Sequence, residues 1–166
     1  MKSKNLFLFF AVAIIISLSS CGGKMSTFAY NERIVAMHNT ASDFLNSRME
    51  VIYAHEISKE EASKIVDSMK MKYDKYLNEL TTMQIPDKAE GLNNSCIQLF
   101  TYVRDSVIPL YSETLNFAPE SEGWYKVWNE IDKRLNNEGC RASQLEDKMI
   151  REQEEFAAAT GNKLNR

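Results

Sequence analysis

Histidine, proline, glycine and cysteine are all scarce in this chain of 166 residues: two, three, six and three, respectively. Two histidines, His38 and His55, leave little imidazole for general acid–base work. Neither follows a glutamate by three residues, which excludes the Glu-x-x-His pairs of di-iron helical proteins. No Gly-x-Ser-x-Gly, P-loop, Gly-x-Gly-x-x-Gly or His-Glu-x-x-His pattern occurs. The cysteines form neither a Cys-x-x-Cys redox pair nor a haem-attachment motif. These absences predict a protein that is not an enzyme and that holds no cofactor or metal. The formal charge is −3, so there is no basic footprint for nucleic acid. Few prolines and glycines over this length predict long helices. The longest early apolar run, Leu6 to Ile16, is 11 residues. That is short of the roughly 18 or more that a transmembrane helix needs.

What is present begins at the N-terminus. Lys2 and Lys4 precede the apolar run, and Leu18-Ser19-Ser20-Cys21 closes it. A basic n-region followed by a short h-region is a secretory signal. Leu18-Ser19-Ser20-Cys21 resembles the lipobox of bacterial lipoproteins. The resemblance covers about the first 23 residues. It implies that Cys21 is acylated on sulfur, becomes the first residue after cleavage and is then N-acylated. Two or more chains hold a protein stably at a bilayer, at about 0.8 kcal/mol per buried methylene. Gly22 follows Cys21 where an Asp would retain such a protein at the inner membrane. The family pattern therefore implies the outer membrane, facing the periplasm. The domain expectations are a signal peptide over 1–20, a lipidated Cys and tether over 21–26, a helical domain over 27–160 and a tail over 161–166. Removing residues 1–20 from 166 leaves 146, one domain's worth of chain, with a charge near −5 once Lys2 and Lys4 are lost.

Ser58-Lys59-Glu60-Glu61 reads as a capping box, Asp87-Lys88-Ala89-Glu90 as another with Asp87 as cap, and Ser121 as a third helix start. They bound helices over about 27–55, 59–84, 88–117 and 121–158. Apolar residues recur by threes and fours in each. Examples are Tyr30, Ile34, Met37 and Ala41 in the first, and Met69, Tyr73, Tyr76 and Leu80 in the second. The third carries Leu92, Cys96, Leu99, Val103, Val107, Leu110 and Leu115, and the fourth Trp124, Trp128, Ile131, Leu135, Ala142, Leu145 and Met149. The predicted fold is all-α, an up-down-up-down antiparallel four-helix bundle after a cleaved signal peptide. Pro109 should kink the third helix. The methionines fall at seam positions such as Met69, Met83 and Met149, which suits core packing rather than copper.

With turns centred near residues 57, 86 and 118, His38, Tyr76, Cys96 and Cys140 fall at one height, with Glu138 one step away. His38, Tyr76, Cys96 and Glu138 thus define a candidate polar layer. It reads as a hydrogen-bonded layer that sets register, as a partly open helix wetted around residues 136–139, or as a ligand or metal site. Cys96 and Cys140 form a candidate disulfide by height in an oxidising compartment. Facing opposes it, because Cys140 lies nearly opposite the seam of a continuous fourth helix. Trp124, Tyr125 and Trp128 are the candidate binding aromatics, with Tyr125 off the seam.

Leu80-Thr81-Thr82-Met83-Gln84 resembles the Leu-Thr-x-x-Gln motif of small helical periplasmic stress chaperones, which implies ATP-independent action on unfolded proteins. The motif occurs once here, at a helix end before Pro86, and in that family it occurs twice. Three functions are therefore in view. The first is a membrane-anchored lipoprotein whose helical domain binds an envelope protein or small ligand. The second is a chaperone-like envelope-stress protein. The third is a carrier of a metal, haem or lipid.

Overall fold

The structure, a computed structural model, describes residues 25–54, 57–136 and 139–161. All regular elements among the described residues are helical, so the fold is all-α. α1 spans Thr27–Tyr53 and α2 spans Lys59–Thr82. α3, Glu90–Tyr102, runs through a π-helical turn at Val103–Val107 into α4, Ile108–Thr114. α5 spans Glu122–Leu135 and α6 spans Arg141–Thr160. The lipobox and Cys21 lie outside the described residues, as do His55 and Glu138.

Side-chain oxygens start three of these helices by occupying backbone donors that have no intrahelical partner. Ser26 accepts from the Ala29 amide at 3.1 Å. Ser58 and Glu61 form the expected reciprocal box: the Glu61 amide donates to Ser58 Oγ at 3.2 Å, and the Ser58 amide donates to Glu61 Oε2 at 2.9 Å. The Trp124 amide donates to Ser121 Oγ at 3.3 Å. α3 departs from expectation. Ala89, rather than Asp87, holds the cap position, and it makes no side-chain bond there. Lys88, at φ 70°, turns the chain there, and its ammonium donates to the Ala159 carbonyl at 3.1 Å.

Pro109 acts through a widened turn. Lacking an N–H, it cannot complete the normal ladder. The Ile108 amide instead reaches back five residues to the Val103 carbonyl. Arg134 Nη1 donates to the Ser106 carbonyl at 2.8 Å, satisfying an acceptor next to the irregularity. The extra residue rotates the chain by about one helical position. The buried face therefore moves from the expected Leu110 and Leu115 to Ile108, Tyr111 and Thr114.

The expected fourth helix is interrupted. α5 stops at Leu135, Gly139 sits at φ 72°, and α6 restarts behind Cys140, whose sulfur accepts from the Ser143 amide at 3.4 Å. A φ of this sign is cheap for glycine and costly for other residues.

α1 packs on α2, α2 on α3 and α4, α3 on α6, and α4 on α5. The pairs run in opposite directions. Phe44 of α1 meets Lys72 of α2 while Arg33 meets Glu79, and Gln98 of α3 meets Lys148 of α6 while Lys88, before α3, meets Ala159. Tyr30, Ile34, Met69, Leu80, Leu92, Phe100, Tyr111, Ile131 and Phe156 are buried in one core. Each side chain of this size contributes about 1.5–3 kcal/mol when fully buried. No helix among the described residues is long and apolar enough to cross a membrane.

Candidate functional site

A groove of about 470 Å³ opens between the C-terminal half of α1 and one face of α5. Its origin is in the packing. α5 lies closely along α4, and α1 approaches it only sparsely, so large side chains must bridge the gap. α1 supplies Met49, Glu50 and Tyr53, which share a face through the i to i+4 spacing. α5 supplies Trp124, Tyr125, Trp128 and Ile131, with Asn129, Asp132 and Asn136 along the rim.

The aromatic rings form a connected wall. Tyr53 lies 5.2 Å from Trp124 and 5.2 Å from Trp128, and the two indoles are 5.5 Å apart. Tyr125 adds a T-shaped contact to Trp124 at 5.0 Å. Behind the wall, Tyr111 meets Trp128 at 5.6 Å. Separations and tilts of this kind suit aromatic quadrupoles. Trp124 and Trp128 are buried, whereas Tyr53 and Tyr125 are 53% and 46% exposed. The site thus has two anchored indoles and two accessible phenols. It combines the three aromatics expected from the sequence with Tyr53, which the sequence reading did not single out. Tyr53 is the last residue of α1, next to the buried Ile52 but off its stripe, and its role depends on where α5 lies.

Two buried polar atoms in this region have no hydrogen-bond partner among the described residues, Trp128 Nε1 and Tyr111 Oη. Burial pushes the Tyr111 phenol pKa far above its ordinary value, so it stays neutral. Asp132 accepts from Asn136 Nδ2 at 2.9 Å. Among the described residues that line the groove there is no imidazole, thiol or basic side chain.

Three of the four residues of the expected polar layer lie among the described residues, and the contacts seen for each are with other neighbours. His38 Nε2 meets Glu146 on α6 at 3.3 Å, and that hydrogen bond holds the Glu146 carboxyl below its usual range. Tyr76 packs against Phe100, ring centroids 5.7 Å apart, and lies under the Lys72 ammonium at 5.1 Å. Cys96 is fully buried near Tyr30, and burial pushes its thiol up to about 12. Glu138 lies outside the described residues. The angular positions on each helix, which height matching ignores, send these groups to different neighbours.

The Cys96–Cys140 pairing is likewise corrected: both thiols are free. The Cys140 sulfur caps α6 instead.

The buried polar contacts that do form were not anticipated. Tyr30 Oη donates to Asn93 Oδ1 at 3.0 Å, and Asn93 Nδ2 donates to the Leu80 carbonyl at 3.2 Å. Gln153 Nε2 donates to Asn31 Oδ1 at 3.1 Å, tying α6 to α1. Among the described residues no group of three or more His, Cys, Asp or Glu is placed to hold a metal ion. The threonines of the Leu80–Gln84 segment donate to carbonyls of their own helix, at 2.9 Å from Thr81 to Leu77 and 2.7 Å from Thr82 to Asn78.

No protein-family model matches the chain, and no curated protein and no solved structure is significantly similar to it.

Proposed function

We propose that this chain is a lipoprotein held through Cys21 at the outer membrane, facing the periplasm, and that its helical domain binds a ligand or partner in the α1–α5 groove without catalysing a reaction. In this reading α3 and α4 act as one rod and α5 and α6 as another. The domain is then an up-down-up-down antiparallel four-helix bundle with two irregular members. The observation that carries the binding role is the aromatic groove itself. Its volume falls within the roughly 300–1,000 Å³ of small-molecule sites, and its wall pairs anchored indoles with accessible phenols. Tryptophan and tyrosine are over-represented where binding energy concentrates. The lining is aromatic rings, two aliphatic side chains, amides and two carboxylates, which suits recognition rather than nucleophilic chemistry.

Two measurements test the two halves of the proposal. Cells fed radiolabelled fatty acid should label the wild-type chain and not Cys21→Ser; equal labelling of both refutes the anchor. Native mass spectrometry of protein taken from the envelope should show a bound species that Tyr125→Ala reduces. Bare protein in both samples, with no saturable change in tryptophan emission on adding small aromatic or alkyl ligands, refutes the groove as a binding site.

A further inference from the structure

Arg33, Lys64, Arg104 and Arg134 each meet a carboxylate. Arg48 of α1 and Lys72 of α2 do not, and among the described residues neither forms an ion pair or a hydrogen bond. Both are half-buried, and both turn to one ring in the α1–α2 seam. The Arg48 guanidinium lies 5.1 Å from the centre of Phe44, and Lys72 Nζ lies 5.6 Å from it and 5.1 Å from the centre of Tyr76. Arg48 Nε is buried without a hydrogen-bond partner among the described residues. The rings attract each cation, but two like charges brought to one ring repel each other. No carboxylate relieves them locally. The positions three and four residues either side of Phe44, Arg48 and Lys72 share a helix face with them. None holds Asp or Glu, and one adds a further cation, Lys75. The hydroxyls of Ser47 and Ser68 on these faces donate to carbonyls of their own helices, Phe44 at 2.9 Å and Ile65 at 2.6 Å. The donors left to a ligand are therefore the guanidinium and the ammonium.

We infer that this stretch of the α1–α2 seam binds a phosphate group, free or as a phospholipid head group, through Arg48 and Lys72. The inference is independent of the α1–α5 groove. A guanidinium presents its N–H groups as a fork that matches two phosphate oxygens, and an ammonium adds a point charge on a flexible stem. The rings hold both heads before binding, which lowers the cost of ordering them. An anion between the two replaces their repulsion with attraction. The chain carries a formal charge of −3, so affinity for an anion has to come from a local site and not from the overall field.

The full chain, purified in a non-ionic maltoside detergent, is titrated with inorganic phosphate near neutral pH, with ionic strength held constant by sodium chloride, while amide resonances are followed by NMR. Signals of residues 44–48 and 68–76 should move saturably. Half-saturation is expected at about 1 mM, the affinity that two or three charge-assisted hydrogen bonds supply. Lys72→Met keeps an apolar stem on the rings and should weaken binding about tenfold or more, with unchanged circular dichroism. Arg48→Lys keeps the charge but loses the fork, and should also weaken it. Dihexanoyl phosphatidylglycerol, titrated in the same way, separates the two sources. Tighter binding than inorganic phosphate assigns the site to a lipid head group, and weaker binding assigns it to a free phosphate. Shifts that are unsaturable or spread evenly over the chain overturn the inference, as does saturable binding that Lys72→Met leaves unchanged.

Discussion

Tyr111 and Tyr30 are both fully buried, and both lose only a hydroxyl when changed to phenylalanine, yet the two substitutions should move stability in opposite directions. The Tyr30 hydroxyl donates to Asn93 Oδ1 at 3.0 Å, and Asn93 in turn holds the Leu80 carbonyl. Tyr30→Phe removes a donor and leaves a buried amide oxygen without it, a loss of about 1–2 kcal/mol. The Tyr111 hydroxyl has no partner among the described residues. A buried, unsatisfied polar group costs about 1–3 kcal/mol. Tyr111→Phe removes that cost and keeps the ring contact to Trp128 at 5.6 Å. A gain of about 1 kcal/mol is expected, after allowing for the small void left by one oxygen. With a urea m-value of about 2 kcal/mol/M, the unfolding midpoint should rise by about half a molar for Tyr111→Phe and fall by at least as much for Tyr30→Phe. Helix circular dichroism is the probe, since Tyr111 sits against a fluorescent indole. A fall in the Tyr111→Phe midpoint at constant m would refute the reasoning and imply an ordered water or another partner at that hydroxyl.

The other expectations concern titratable groups. The hydrogen bond from His38 depresses the Glu146 carboxyl below its ordinary value of 4.5. Its contribution is therefore present above the unfolded value and lost as pH falls through the folded one. Because the Glu146 side chain is 48% exposed, the contribution is under about 1 kcal/mol. Glu146→Gln should lower stability slightly at pH 7 and flatten the acid limb of a stability–pH curve, whereas an acid limb as steep as that of the wild type would argue against the pair. For the cysteines, iodoacetamide at mildly alkaline pH should modify Cys140, which is partly exposed, and spare Cys96, which is buried with its thiol pushed up to about 12. Leaving aside Cys21, which acylation blocks in the lipoprotein reading, intact mass should show one adduct on the native protein and two after denaturation. No adduct without prior reduction would mean that the two cysteines are bonded after all.

Helix content and most of the buried stripes were legible because both follow from local rules. Ser58 with Glu61 and Ser121 are capping signals that work within one turn, and the stripe Tyr30, Ile34, Met37, Ala41 needs only the helical period to be read. Failures came where one residue changes the phase. A constant period carried through Pro109 puts Leu110 inside. The π turn adds a residue, and Tyr111 takes that place. The interruption before Cys140 similarly resets the fourth segment, so a cysteine read as facing away from the seam becomes a helix cap. The polar layer depends on more than phase. Height along a helix is fixed by residue count, but contact also needs the angle about each axis. His38 consequently finds Glu146 rather than Tyr76 or Cys96.

Those same two irregularities bear on where the groove lies. The π turn presents Tyr111 to the back of Trp128 and leaves the Ser106 carbonyl for Arg134, a residue of the last turn of α5. At its other end α5 is held by the Phe117 ring, which lies where a Cβ on residue 123 would stand, so Gly123 is needed for that approach. α5 is thereby fixed along α4 at both ends. It ends at Leu135 instead of continuing in line as α6, so its first two turns follow α4 and do not close on α1. Trp124 and Trp128 fill the inner part of the resulting gap, and Tyr53 and Tyr125 are left at its mouth. Closing the gap would require α5 to leave the π turn, losing the Arg134 hydrogen bond and the Tyr111 contact together. The groove is therefore held open by the backbone arrangement of α4 and α5, and side-chain substitutions at Tyr125 or Glu50 should leave it in place.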